Sequence, residues 1–381
     1  MSIFSSEPIP LDSRRSRVLG VLAFALPLLL FIPLIPLSSE NASARQFVLS
    51  LFDHQRLPAP GYPLYWLLGV LWARIDFGVS HFNVALMCST LPVALSSWVL
   101  YRAARHVNVH PYLAMFAAIV WATGPDTLAL ATQAHVHGLS ALFSSTLFYM
   151  SLRYIKDPGE PSWLFRFAAI TALASAHQIF FVAAWTSLLL MILLTEWRIL
   201  LRWKIMLGFF AIALTTPLLY LLVAAITHEA GAPFSPSEVF DQAIRHDRLL
   251  SHVDARHLGP GLIAFWKQWF LQMFPGAPLL AIAGLWQMTS QSWPRRWALV
   301  ALSLLSPPIT LLLLSDHPQT NELVAALLAP LCVFTALGLQ ALAELDLWTR
   351  GRNQRIAAHV LVVLALALVI AHLYRAIGGL L

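Results

Sequence analysis

The sequence predicts an all-α, polytopic transmembrane bundle of about eleven helices, because runs of roughly 20 apolar residues, each long enough to cross a bilayer, recur along it. Three observations carry this reading. The 381 residues are 59% hydrophobic and only 11% charged, with a mean hydropathy of +0.71, whereas a soluble domain carries roughly 25% charged residues. So few charges cannot cover a water-facing surface, and lipid must be the main solvent. The apolar runs are spaced along the whole chain. Basic residues collect in alternate connections between them, which sets the direction of each span.

The first span follows Arg14-Arg15-Ser16-Arg17 and runs from Val18 to Leu37. It is too long for the core of a cleaved signal peptide and shows no small-residue cleavage site, so it reads as a retained signal anchor. Residues 1–16 are then a cytoplasmic tail, and 17–381 a single transmembrane domain. Spans are expected near 17–37, 81–103, 112–130, 135–153, 164–177, 178–195, 204–226, 262–286, 297–315, 321–344 and 356–378. The fifth and sixth are short, and read as a broken pair or one tilted helix. Most segments are apolar on both faces, as helices surrounded by lipid and by one another are.

Charge checks the direction. With the N-terminus inside and the C-terminus outside, Arg14, Arg15, Arg17, Arg102, Arg105, Arg153, Lys156, Arg166, Arg198, Arg202, Lys204, Arg295, Arg296, Arg350, Arg352 and Arg355 all lie in cytoplasmic connections. These are most of the 24 basic residues, as the positive-inside rule requires. The net charge of +6 is therefore a signature of membrane insertion and of contact with anionic headgroups, rather than of nucleic-acid binding. Cys88 and Cys332 sit in apolar segments, without disulfide or metal-site spacing.

Two outer loops, 38–80 and 227–261, are longer than turns. In the first, Ala42 to Phe52 sets Phe47, Val48, Leu51 and Phe52 against Arg45 and Gln46, the pattern of a helix lying in the interface plane. Leu64 to Trp72 is apolar but too short to span. In the second, Ser235-Pro236-Ser237-Glu238 reads as a capping box opening a short helix.

Candidate chemistry gathers on the outer side. Glu40, Asp53, Arg56, Asp126, His135, His137, His177, Arg245, Arg248 and Lys267 all fall there. Most charged loop residues are simply solvated, but His177 interrupts the apolar run Ala168 to Trp185, and an ionisable group at membrane depth calls for a cavity or a partner. His135 and His137 have the composition of a metal pair, yet at i and i+2 on a helix they point to different faces and do not easily share one ion unless the segment is extended. No phosphate-cradling glycine loop, nucleophile elbow or zinc-protease helix is present.

The run Pro60-Gly61-Tyr62-Pro63-Leu64-Tyr65-Trp66-Leu67-Leu68-Gly69 resembles a motif, His-Pro-Pro-Gly-Tyr-Pro-Leu-Tyr, of bacterial membrane proteins related to protein O-mannosyltransferase-like enzymes, within the glycosyltransferase-C superfamily. Pro125 through Ser140 and Ala172 through Gln178 resemble two further segments of that group, in the same order, between about residues 17 and 195. The resemblance implies a glycosyltransferase-C bundle that moves a sugar from a polyprenyl-phosphate donor to an acceptor at the outer face of the inner (plasma) membrane. It also implies an acidic residue early in the first outer loop, acting as general base on the acceptor or holding a divalent metal, and basic groups holding the phosphate. Here the family's Asp falls on Ser43 and its Glu on Gln46, so the acid passes to Glu40, one helical turn earlier, or to Asp53. Arg45, Arg56, Tyr62, Tyr65, His135, His137, His177, Arg245, Arg248 and Lys267 are the expected substrate-binding residues. Two other readings stand beside this one. The chain is alternatively a non-catalytic subunit joined to other proteins in the membrane, or a transporter of lipid-linked saccharide.

Overall fold

A computed structural model of the chain describes residues 13–36, 42–52, 62–73, 80–156, 161–228, 235–240, 276–290 and 321–344, with a few isolated positions that include Lys267, Trp269, Gln272 and Met273. Apolar stretches in lipid must satisfy their own N–H and C=O groups, and here they do so as helices.

Helix α1 is Arg14–Phe31, capped by the Ser13 hydroxyl, which accepts from the Ser16 amide at 3.1 Å. The interfacial helix expected in the first outer loop is α2, Ala42–Phe52, and the short apolar one is α3, Pro63–Ala73. Helix α4, Ser80–Ala85, passes through a π-helical turn at Leu86–Thr90 into α5, Leu91–His106. Then follow α6, Pro111–Ala122, and α7, Pro125–Thr132, which bend by 67° at their junction. Helix α8 is His137–Lys156 and α9 is Pro161–His177. After a 3₁₀ turn come α10, Ala183–Glu196, α11, Trp203–Ala213, and α12, Thr215–Ile226. The described part closes with α13, Ala277–Ser290, α14, Asn321–Leu328, and α15, Leu331–Glu344. Proline opens α3, α6, α7 and α9, where its fixed φ suits the first turn and its missing N–H costs nothing.

Among the described residues, four helical stretches are long and apolar enough to cross a membrane: Arg14–Leu34, His81–His106, Ile179–Leu201 and Trp203–Ile226. They match four of the expected spans. The expected span at 112–130 is the bent pair α6–α7, and the short fifth and sixth spans are indeed broken, at Gln178. The expected spans at 297–315 and, apart from isolated positions, 356–378 lie outside the described residues. Large apolar side chains face outward, with Trp286 76%, Trp203 68% and Leu29 66% exposed. A patch of this kind is a lipid-facing surface.

Helix α5 is the hub, packed by α1, α6 and α8; α9 lies against α8, α11 and α12, and α3 crosses α9 and α12. Helices α13 and α15 pack closely enough nearly to touch. A Cβ on Gly284 would fall on the Phe334 carbonyl, and one on Gly338 on the Leu280 carbonyl, the close approach that small residues permit between membrane helices. Buried polar groups tie the bundle together at its other contacts. The Tyr101 hydroxyl of α5 donates to the Ser16 carbonyl of α1 at 2.7 Å, and the Gln340 side chain of α15 accepts from the His110 amide at 2.8 Å.

One end of the bundle carries a belt of cations on aromatic rings: Arg15 over Tyr112, Arg102 over Trp98, Arg153 and Arg166 over Trp163, and Lys204 over Trp203. Tryptophan and tyrosine favour the membrane–water interface, and arginine and lysine the cytoplasmic side. The opposite end holds α2, α3 and the α7–α8 connection. A cysteine at Ser237 should therefore react with a membrane-impermeant thiol reagent added outside intact cells. Labelling that appears only after the cytoplasmic side is opened would reverse the orientation.

Candidate functional site

Several helix interruptions meet at the end opposite the aromatic belt. The π-helical turn before α5 presents Ser89 and Thr90, both fully buried. Such turns are frequent where a helix must offer groups outside its own ladder. The Ser89 hydroxyl donates to the His135 carbonyl and accepts from the His135 amide, each at 2.9 Å, and the Thr90 hydroxyl donates to the Ala131 carbonyl at 2.5 Å. This grip holds the chain extended between α7 and α8, with Gln133 at φ −116° and ψ 154°. The extended backbone is why His135 and His137 do not diverge as they would on a helix. Their rings lie 4.6 Å apart, and the His135 Nδ1 accepts from the His137 amide at 3.4 Å. The divergence expected on a helix does not arise, because the segment takes the extended course that lets the two rings meet.

The second interruption is Gln178, whose extended φ of −141° ends α9 just after His177. Its amide links the two histidine-bearing segments. The Gln178 Nε2 donates to the His137 Nδ1 at 3.0 Å, and the Ser140 hydroxyl donates to the Gln178 Oε1 at 2.6 Å. Because the Ser140 proton is committed there, the 3.1 Å contact with His177 requires the His177 Nε2–H to donate to the Ser140 oxygen. The backbone at Val136 also hydrogen-bonds the His177 ring. With Nε2 protonated, the His177 Nδ1 is left as an acceptor. It is buried and has no hydrogen-bond partner among the described residues.

Helix α3 closes this side. His177 lies 6.2 Å from the Tyr62 ring, 6.3 Å from Tyr65 and 5.7 Å from Phe143. Tyr62 stands at φ 38°, an uncommon region for a bulky residue, here directly before Pro63, and strain of this kind collects at functional sites. The Tyr65 hydroxyl is fully buried and has no hydrogen-bond partner among the described residues. Phe47 of α2 packs on both tyrosines, at 6.0 and 6.1 Å between centroids.

Opposite, Gln272 ties the segment after the second outer loop to the α6–α7 bend. It is fully buried; its Nε2 donates to the Trp121 carbonyl at 3.1 Å and to the Thr127 hydroxyl, and its Oε1 accepts from the Asp126 amide at 3.1 Å.

Two solved structures of ArnT from Cupriavidus metallidurans share this architecture. The apo structure superposes with a TM-score of 0.62 at 15% identity, over 86% of this chain and 60% of that one. The structure bound to undecaprenyl phosphate gives a TM-score of 0.63, again at 15% identity, over 96% of this chain and 71% of that one. The chain has the glycosyltransferase-C fold. It is a polytopic helical membrane protein, and it spans 60% of the length of the apo ArnT chain. No family model and no curated protein matches the sequence.

Within this glycosyltransferase-C bundle, Tyr62, Tyr65, His135, His137 and His177 come together, although they derive from three separate stretches of chain. Arg45 is exposed on α2, and Lys267 is exposed five positions before Gln272. Glu40, Asp53, Arg56, Arg245 and Arg248 lie outside the described residues. Among the described residues, no three histidine, cysteine or carboxylate side chains stand close enough to share an ion, so these residues alone do not build a divalent-metal site. Sequence reasoning passed over Ser89, Ser140 and Gln178, the residues that orient the histidines. Gln178 carried a readable signal, since it places a second polar group beside His177 in the same apolar run.

Proposed function

We propose that the chain is a membrane glycosyltransferase that moves a sugar from a polyprenyl-phosphate donor to a hydroxyl acceptor at the outer face of the plasma (inner) membrane. One observation carries the reading: two buried groups of opposite character, the Tyr65 hydroxyl and the His177 Nδ1, flank one aromatic cluster and have no hydrogen-bond partner among the described residues. The first donates and the second accepts. A sugar hydroxyl both accepts and donates, so it complements the pair. Leaving two buried polar groups unsatisfied is costly, and a ligand that satisfies both removes that cost. The fold is shared with a protein solved in complex with undecaprenyl phosphate, which supports a lipid-linked donor.

In the proposed reaction the acceptor oxygen bonds to the anomeric carbon while the bond from that carbon to the phosphate oxygen breaks. The acceptor proton passes to the carboxylate of Glu40 or Asp53, and the lipid phosphate leaves with the electron pair. Arg45, Arg56, Arg245, Arg248 and Lys267 supply the charges that hold the phosphate. Tyr62, Tyr65, His135, His137 and His177 line the sugar side.

A double-mutant cycle tests the sugar contact. Tyr65→Phe and His177→Ala should each slow transfer about tenfold, the worth of one hydrogen bond, with the double variant little slower than either single one. The reason is that both groups bind the same hydroxyl and their effects cannot add. Independent, multiplying losses would show that the two groups do not share a ligand.

A further inference from the structure

The aromatic belt contains one cluster unlike the others. The Arg153 guanidinium, in the last turn of α8, lies 4.7 Å from the Trp163 ring centroid, and that of Arg166, in α9, lies 4.4 Å from the same ring. The other contacts set a single cation on a ring. Two guanidiniums on one indole repel each other, and among the described residues neither is paired with a carboxylate. The Arg153 Nε is buried without a hydrogen-bond partner among the described residues, while Arg166 is exposed and Trp163 half-buried. The cluster is thus anchored inside and open outside, at the depth where tryptophan meets lipid headgroups.

We propose that Arg153, Trp163 and Arg166 form a binding site for the phosphodiester of an anionic phospholipid in the leaflet at this end of the bundle. A phosphate held between two guanidiniums neutralises their repulsion and accepts from their planar N–H forks, geometry that a lysine ammonium does not offer. The indole contacts both cations and offers its apolar edge to the glycerol region. A lipid, rather than a soluble phosphate, fits a site that opens at the interface between helix ends. The site is at the opposite end from the histidine cluster and stands whether or not sugar transfer is the activity.

The test uses the purified full-length chain in detergent, with native mass spectrometry of retained lipid after addition of equal phosphatidylglycerol and phosphatidylcholine. The wild type should retain phosphatidylglycerol in preference. Arg166→Ala should lower that retention about fivefold, as expected for one arginine at a charged lipid surface, and Arg166→Glu should abolish the preference. Because Arg166 is exposed, both variants should keep the wild-type melting temperature. Lys204→Ala, which removes a cation of the same belt, should leave retention unchanged. Equal retention in Arg166→Glu and wild type would overturn the proposal. So would displacement of phosphatidylglycerol by inorganic phosphate, which would mark a general anion site instead of a lipid site.

Discussion

Glu40→Gln should reduce sugar transfer by about 10² to 10⁴ while leaving the protein folded, the effect of removing a general base from a group transfer. The two acidic candidates are separated by α2, whose eleven residues, Ala42–Phe52, make a rod about 16 Å long. Glu40 precedes α2 in the sequence and Asp53 follows it. Phe47 of α2 meets Tyr62 and Tyr65, and Leu51 meets Gly69. Of the two acids, Glu40 is the one a helical turn from Ser43, where the resemblance puts the acidic residue, so Asp53→Asn should cost much less. A steady-state comparison of the two variants checks this, and an inactive Asp53→Asn beside a fully active Glu40→Gln would transfer the role to Asp53.

The second large effect is expected at a residue with no side chain. A Cβ on Gly138 would sit 2.6 Å from the Ser89 Cα, 3.0 Å from the Cys88 carbonyl oxygen and 3.1 Å from that of Ser89. All three neighbours are backbone atoms of the π-helical turn and cannot rotate away. Gly138→Ala must therefore push the first turn of α8 off that turn, carrying His137 and Ser140 with it and breaking the alignment that reaches His177 through Gln178. Misplacement by about 1 Å at a site of this kind costs up to about 10²-fold in rate, and overpacking costs about 1–3 kcal/mol in stability. Transfer assays paired with thermal unfolding should show both losses. Wild-type activity in Gly138→Ala would mean that the α7–α8 connection does not position the site.

Much of this was legible in the sequence because bilayer physics is blunt. Apolar length marked the spans at 17–37, 81–103 and 204–226, and the missing length around His177 marked a real break. The convergence of Tyr62, Tyr65, His135, His137 and His177 was legible through motif order and through the cost of a histidine at membrane depth. The extended course of the chain from His135 to His137 was not. Helical periodicity sets them apart, and only the tertiary grip of Ser89 and Thr90 on the α7–α8 backbone pulls that segment straight. The tie between Gln272 and the α6–α7 bend was equally hidden, since it joins residues 145 to 151 positions apart and a lone glutamine in an apolar run carries no address.

The claim that this fold performs outward-facing sugar transfer meets its most direct test in proteoliposomes with the outer face exposed, given a total extract of polyprenyl-phosphate-linked sugars together with periplasmic acceptors. The wild type should release one free polyprenyl phosphate for each sugar transferred, and the Glu40→Gln, Asp53→Asn double variant should release none. Equal release by the double variant, or none by the folded wild type, would contradict the account.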